Sequence, residues 1–381
     1  MSVVIQGHLV HYFDLILTAV TAILIISRSN RIRGLRLLYV MAASCFFAYQ
    51  LIISSLPVAT LFSCLYWFVP ALGVLLLDRR HNQNFVLTLT NLLIGWSAVQ
   101  ILVQNVASHA ISDMFGFNFP RYLGLLVRPV TTVGYATSAS YTLIYLLIIR
   151  ASLKGVKSIF SKPMRADLIA IAIIALMFTR GALLSLLLIL LVHLFLVVST
   201  HQKLLTKELV AFLLILPVFF VTTVVSFSRT LFESSFTLTR QYQLRRALDH
   251  YLEGGNYLLG TSFGTFLPRF WTSRMDLRYL YSPYPVRATH NAYVVILNEC
   301  GIVGLFVLAL TLVTAYVKIK LEGRSGALFT QAVIVLLIWM AFETSIFLPE
   351  YSYVAFLTLY WASKGNSNVR SRSKMNMDRP Y

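Results

Sequence analysis

The sequence Val286-Arg287-Ala288-Thr289-His290-Asn291-Ala292-Tyr293 closes a polar, arginine-rich segment, Phe227 to Thr289, set between strongly apolar stretches. The segment holds Arg229, Arg240, Arg245, Arg246, Arg269, Arg274, Arg278 and Arg287, and no lysine. Planar guanidinium forks bind phosphate oxygens bidentately, which an ammonium cannot do. The imidazole of His290 can take up or release a proton near neutral pH. Residues of these types, in this order, suit a phosphate-bearing substrate and a proton transfer beside it.

The elements that must position them are membrane helices. Of the 381 residues 58% are hydrophobic and 12% charged, and the apolar runs are long enough to cross a hydrocarbon core of roughly 30 Å. The pattern predicts an all-α, polytopic transmembrane bundle of about 11–12 spans with one large outer loop containing short helices. Spans are expected near 9–27, 37–53, 58–77, 85–105, 132–149, 167–179, 181–199, 208–226, 297–317, 326–347 and 351–363. The expected segments are N-terminal membrane helices over 1–226, the large loop over 227–289, C-terminal membrane helices over 290–363 and a disordered basic tail over 364–381.

A net charge of +18 would suit nucleic acid if it formed one patch, but here it is spread through the turns. Basic segments at Arg28–Arg36, Arg79–Arg80, Arg150–Arg165, Lys203–Lys207, Lys318–Arg324 and Lys364–Arg379 alternate with basic-poor turns, so they are expected on the cytoplasmic side and no nucleic-acid partner is expected. All nine lysines fall in these inner segments, and the outer basic residues are all arginine. Cys45, Cys64 and Cys300 lack paired spacing, so no disulfide framework is implied. The stretch Met1 to Tyr12 lacks a basic n-region, and the first span is expected to be permanent.

Within the large loop, Thr239 to Leu252 reads as a helix with Leu244, Ala247, Leu248, Tyr251 and Leu252 on one face and Arg245, Arg246 and Asp249 turned elsewhere. Gly254-Gly255-Asn256 ends it, and Leu258-Leu259-Gly260-Thr261-Ser262 follows. Its glycines allow a tight turn that either brings backbone amides to a ligand or docks the loop on the bundle. After Ser282-Pro283-Tyr284-Pro285 a helix is expected to start at Thr289 or Asn291, both competent N-caps, which places His290 at a helix mouth favourable to anions. Cations nearby would keep that histidine neutral, as a general base must be. Glu299 lies nine residues on, roughly 13 Å along a continuous helix, so it supports structure rather than pairing with His290; Gly301 and Gly304 suit close packing. Phe178-Thr179-Arg180-Gly181-Ala182 interrupts an apolar stretch too long for one span, which puts Arg180 at an outer turn. No Walker-type loop, paired aspartates or His/Cys spacing for a metal is found, so no metal or cofactor is expected.

Thr179-Arg180-Gly181-Ala182, the Arg246-Ala247-Leu248 helix leading to Leu258-Leu259-Gly260 and Phe266, and His290-Asn291 leading to Glu299-Cys300-Gly301-Ile302-Val303-Gly304 together resemble the bacterial O-antigen polymerase and O-antigen ligase superfamily. The motifs cover about residues 176–310. Ser262 departs from the Leu-Leu-Gly-x-Gly pattern, which has a second glycine there.

The resemblance implies an inner-membrane glycosyltransferase with its active site facing the periplasm. It would use an undecaprenyl-pyrophosphate-linked glycan as donor, without nucleotide sugar or metal. The implied acceptor is a glycan on a lipid-linked repeat unit or on lipid A-core. Membrane lipids and a chain-length regulator protein are further partners. On this expectation Arg180, Arg246 and Arg287, with Arg245 and Arg278 in support, hold the pyrophosphate. His290 deprotonates the acceptor, and Asn291, Glu299, Gly260, Gly301 and Gly304 shape the site. Polymerase is the leading expectation and ligase the alternative. A flippase would need charges at mid-membrane depth in several spans, and a non-catalytic assembly partner would leave His290 without a purpose.

Overall fold

A computed structural model describes residues 2–5, 8–11, 35–54, 60–61, 64–65, 83–115, 121–122, 125–126, 136–177, 179–198, 244–245, 247–253, 256–262, 291–322, 325–343 and 349–364. Helices form its framework: α1 (Leu35–Ile53), α2 (Gln83–Phe115), α3 (Ala136–Lys154), α4 (Arg165–Leu176), α5 (Arg180–Val198), α6 (Ala292–Leu321), α7 (Ala327–Phe342) and α8 (Pro349–Lys364). Beside them stand two short antiparallel hairpins that the all-α expectation did not include. In one, β1 (Ser2–Ile5) pairs with β2 (His8–His11), Ser2 opposite His11; in the other, β3 (Arg121–Tyr122) pairs with β4 (Leu125–Leu126). Among the described residues three helices are long and apolar enough to cross a membrane: Gln83–His109, Ala136–Lys154 and Ala292–Leu321. The expected span 208–226, all of 9–27 except residues 9–11, which belong to β2, and most of 58–77 lie outside the described residues.

The chain divides into two compact units, each discontinuous in sequence. One comprises Met1–Leu77, Val221–Thr311 and Met340–Phe356; the other comprises Asp78–Phe220, Leu312–Trp339 and Leu357–Tyr381.

In the second unit α3 is the central helix, packed against α2, α4 and α5, and it is buried along almost its whole length. Its Tyr141 stacks on Trp339 of α7 with ring centroids 5.0 Å apart, and Ser152 donates to the Trp361 carbonyl at 2.8 Å. Helix α2 instead exposes Leu92, Leu102 and Val106, a face suited to lipid. Helix α3 stops at Gly155, whose φ of 71° is the left-handed state that glycine adopts without strain. The amides of Gly155 and Val156 then return to the Ser152 and Ala151 carbonyls, at 3.2 and 3.1 Å. Helix α4 starts where Asp167 reaches back to accept the Met164 amide at 2.8 Å. The break expected around Thr179 is present, since α4 ends at Leu176 and α5 begins at Arg180.

Candidate active site

In the first unit the loop residues 256–262 are spliced into helix α6. A continuous helix would bond the amides of Ile302 and Val303 to the carbonyls of Asn298 and Glu299. Gly301, at φ 63° and ψ −165°, breaks that ladder. Ile302 and Val303 donate instead to the carbonyls of Tyr257 and Leu258, at 3.0 and 3.1 Å, while the Asn298 and Glu299 carbonyls accept from the amides of Thr261 and Ser262, at 2.8 and 3.0 Å. Four backbone groups that a kink would leave without their helical partners are thus satisfied by exchange with the loop.

Two glycines make the exchange possible. A Cβ on Gly301 would lie 2.2 Å from the Leu258 carbonyl oxygen, and one on Gly260, at φ 71°, would lie 2.4 Å from the Glu299 carbonyl carbon. The kink also folds Cys300 back, so that a Cβ on Gly304 would meet the Cys300 Cβ at 2.3 Å. Gly301 was expected to let helices pack closely; what it admits is the loop. The open question about the glycine turn has the same answer. The amides of 259–262 bond to Asn256 Oδ1, the Asn256 carbonyl, Asn298 and Glu299 in turn, so they dock the loop and none is left facing a ligand.

Asn298 is the hub of this joint. Buried at 1% exposure, it donates its amide nitrogen to the carbonyls of Ala247 (3.0 Å) and Val294 (2.9 Å). Its carboxamide oxygen therefore faces Nδ1 of His250 at 2.9 Å and can only accept. That fixes the proton of His250 on Nδ1, and in the neutral ring the lone pair sits on Nε2. Helical residues 247–253 are in this way tied to α6 by a side chain as well as through the loop. At the far end of that helical piece, Tyr251 and Tyr257 meet edge to face at 5.6 Å. Tyr251 donates to the Tyr257 carbonyl and Tyr257 to that of Leu252, at 2.7 and 2.6 Å. Partial burial, with Tyr257 beside it, holds the Tyr251 hydroxyl protonated above the usual phenol range.

Ser262 stands at φ 106°, a backbone state that favours glycine, so the serine departs from the motif without departing from its backbone conformation. Its hydroxyl, fully buried, donates to the Gln50 carbonyl at 2.8 Å and shares a hydrogen bond with Thr60 at 3.1 Å. These bonds anchor the loop to α1.

Asn291 is the N-cap of α6, its Oδ1 accepting from the amides of Tyr293 and Val294 at 3.0 and 3.2 Å. His290 directly precedes this cap in sequence but lies outside the described residues, as do Arg246, Arg278 and Arg287. Arg245 is exposed, turned away from the buried Leu244 and Ala247; Leu252, expected on that inner face, is 58% exposed instead. Glu299 is fully buried. Arg180 opens α5 in the second unit and is exposed. The structure thus brings together Gly260, Glu299, Gly301 and Gly304 at the joint, while Asn291 caps the same helix about two turns earlier. It adds His250 and Asn298, which the sequence reading passed over. The available signal was Asn298-Glu299, two polar residues inside an otherwise apolar helical run.

Residues 166–309, which include Arg180, the loop joint and the cap of α6, match the model of a family described as O-antigen ligase. No curated protein matches the chain.

Proposed function

We propose, from the match that supports placing this chain in the O-antigen ligase and polymerase superfamily, that it polymerises undecaprenyl-pyrophosphate-linked oligosaccharide repeat units at the periplasmic face of the bacterial inner membrane. The carrying observation is that the matched stretch contains every arginine assigned to phosphate, together with His290. In the proposed step the acceptor hydroxyl gives its proton to His290 and its oxygen attacks the anomeric carbon of the donor. The bond from that carbon to the pyrophosphate oxygen breaks, and undecaprenyl pyrophosphate leaves with the electron pair. A single displacement inverts the anomeric centre. Arg246 and Arg287, with Arg245 and Arg278, stabilise the charge that develops on the leaving pyrophosphate, the task a metal ion performs elsewhere. Arg180 is assigned to phosphate in its own right, and restoring the strain lacking the gene with Arg180→Ala protein is expected to leave the glycan defect in place at normal protein level.

The description of the matched family favours a second reading, ligation of the finished polymer to lipid A-core. The two reactions share donor and leaving group and differ in acceptor. A lipopolysaccharide gel of a strain lacking the gene separates them. Core bearing a single repeat unit, with the ladder lost, identifies a polymerase; bare core with polymer retained on the lipid carrier identifies a ligase; an unchanged ladder overturns both for this glycan. Restoring the strain with His290→Ala protein is expected to leave the defect in place at normal protein level, and a normal ladder would remove His290 from catalysis.

A further inference from the structure

A second cluster of charge lies in the unit built around α3, and the reaction above does not use it. Arg150, 1% exposed, donates Nε to Asp167 Oδ1 at 2.6 Å and Nη1 to Asn91 Oδ1 and, at 3.4 Å, to Thr90 Oγ1. Lys154 donates to the other oxygen of the same carboxylate, which also accepts the Met164 amide at 2.8 Å. One carboxylate therefore answers two cations. Beside them opens a cavity of about 600 Å³ lined by Asn91, Arg150, Pro163, Met164, Arg165 and Ala166, so Arg165 adds a second guanidinium to its wall. Arg150 and Lys154 share the one carboxylate of Asp167 and Arg165 stands exposed beside them, so positive charge is in excess here and an anion would compensate it. The first turn of α4, which forms one wall, adds the positive end of its dipole.

We propose that this cavity binds an anionic phosphate headgroup of a membrane lipid. The two guanidinium groups at the wall select the phosphate. A lipid as its source is indicated by the surface beside it: Met164 and Leu168, one turn apart on α4, are each 54% exposed, and Ile169 follows at 44%. An acyl chain lying along that apolar strip would lead from the cavity into the bilayer. The site is separate from Arg180, which follows the far end of α4, roughly 17 Å away at 1.5 Å per residue.

The test is a thermal-shift titration of the purified full chain in detergent with dihexanoylphosphatidylglycerol, dihexanoylphosphatidylcholine and glycerol phosphate. The anionic lipid should raise the melting temperature saturably, and the zwitterionic one should not. Arg165→Gln, an exposed substitution, should weaken the midpoint about fivefold, the loss of one charge-assisted contact. Lys318→Gln, the same charge change at an exposed site outside the cavity, should leave it unchanged. Saturation by glycerol phosphate at the same concentration as the lipid, with the same sensitivity to Arg165→Gln, supports the phosphate site and makes a free phosphate ester its ligand. Equal responses to the two lipids, no response to any ligand, or an Arg165→Gln titration that overlays the wild type would overturn the proposal.

Discussion

Gly301 allows no side chain. Gly301→Ala would put a methyl against the Leu258 carbonyl in a positive-φ, extended-ψ state that is essentially confined to glycine and costs an L-residue about 1–3 kcal/mol before any clash is counted. The loop residues 256–262 are expected to detach, seen as a lower melting temperature and faster proteolytic cleavage within them. Ser262 offers a finer comparison, because its strain and its hydrogen bonds can be separated. Ser262→Ala keeps the positive φ and loses the bonds to Gln50 and Thr60, so it should destabilise by roughly 1–3 kcal/mol. Ser262→Gly loses the same bonds but relieves the strain, and should fall clearly less in a denaturant midpoint. Equal losses would mean that the hydroxyl alone matters. Neither role was legible in sequence: a glycine in an apolar helical run reads as a packing glycine, and the partner that gives Gly301 its meaning lies some forty positions earlier.

At the scale of elements, the joining of α3 and α4 rests on a single carboxylate. Asp167→Asn would leave Arg150 buried without its counter-ion, and removing one partner of a buried pair costs about 3–5 kcal/mol. The expected result is a marked fall in melting temperature, larger than that of Asn91→Ala, which removes a neutral partner. Much of this framework could be read from hydropathy and punctuation. The turn at Phe178-Thr179-Arg180 was visible because a charge interrupts an apolar run, whereas the span placed at 132–149 is a helix that runs on to Lys154, where Gly155 ends it. Helix α6 starts at Ala292, five residues before the hydropathy rise that placed a span at 297, because Asn291 caps it. The helical piece at 247–253 was legible from its three- and four-residue spacing, but its attachment was not. Asn298 holds His250 through a side chain, and side-chain hydrogen bonds across such a separation leave no periodic trace.

For the molecule as a whole, the alternation of basic and basic-poor turns is a statement about sidedness that labelling can check. A cysteine placed at Ser273, in a chain with Cys45, Cys64 and Cys300 replaced, should react with a membrane-impermeant maleimide in intact spheroplasts, whereas one at Ser373 should react only after lysis. The reverse pattern would turn the protein over and remove the periplasmic assignment. The splice between loop and α6 bears on how such a chain opens. The amides of Thr261, Ser262, Ile302 and Val303 are protected by one another's strands of backbone, so none can be released alone without exposing the others. In hydrogen exchange these four should behave as one cooperative unit with a common opening free energy, although two belong to a surface loop and two to an apolar helix. A loop secured in this way opens only when the helix that receives it gives way, so residues 256–262 and the kinked turn of α6 form one mechanical piece.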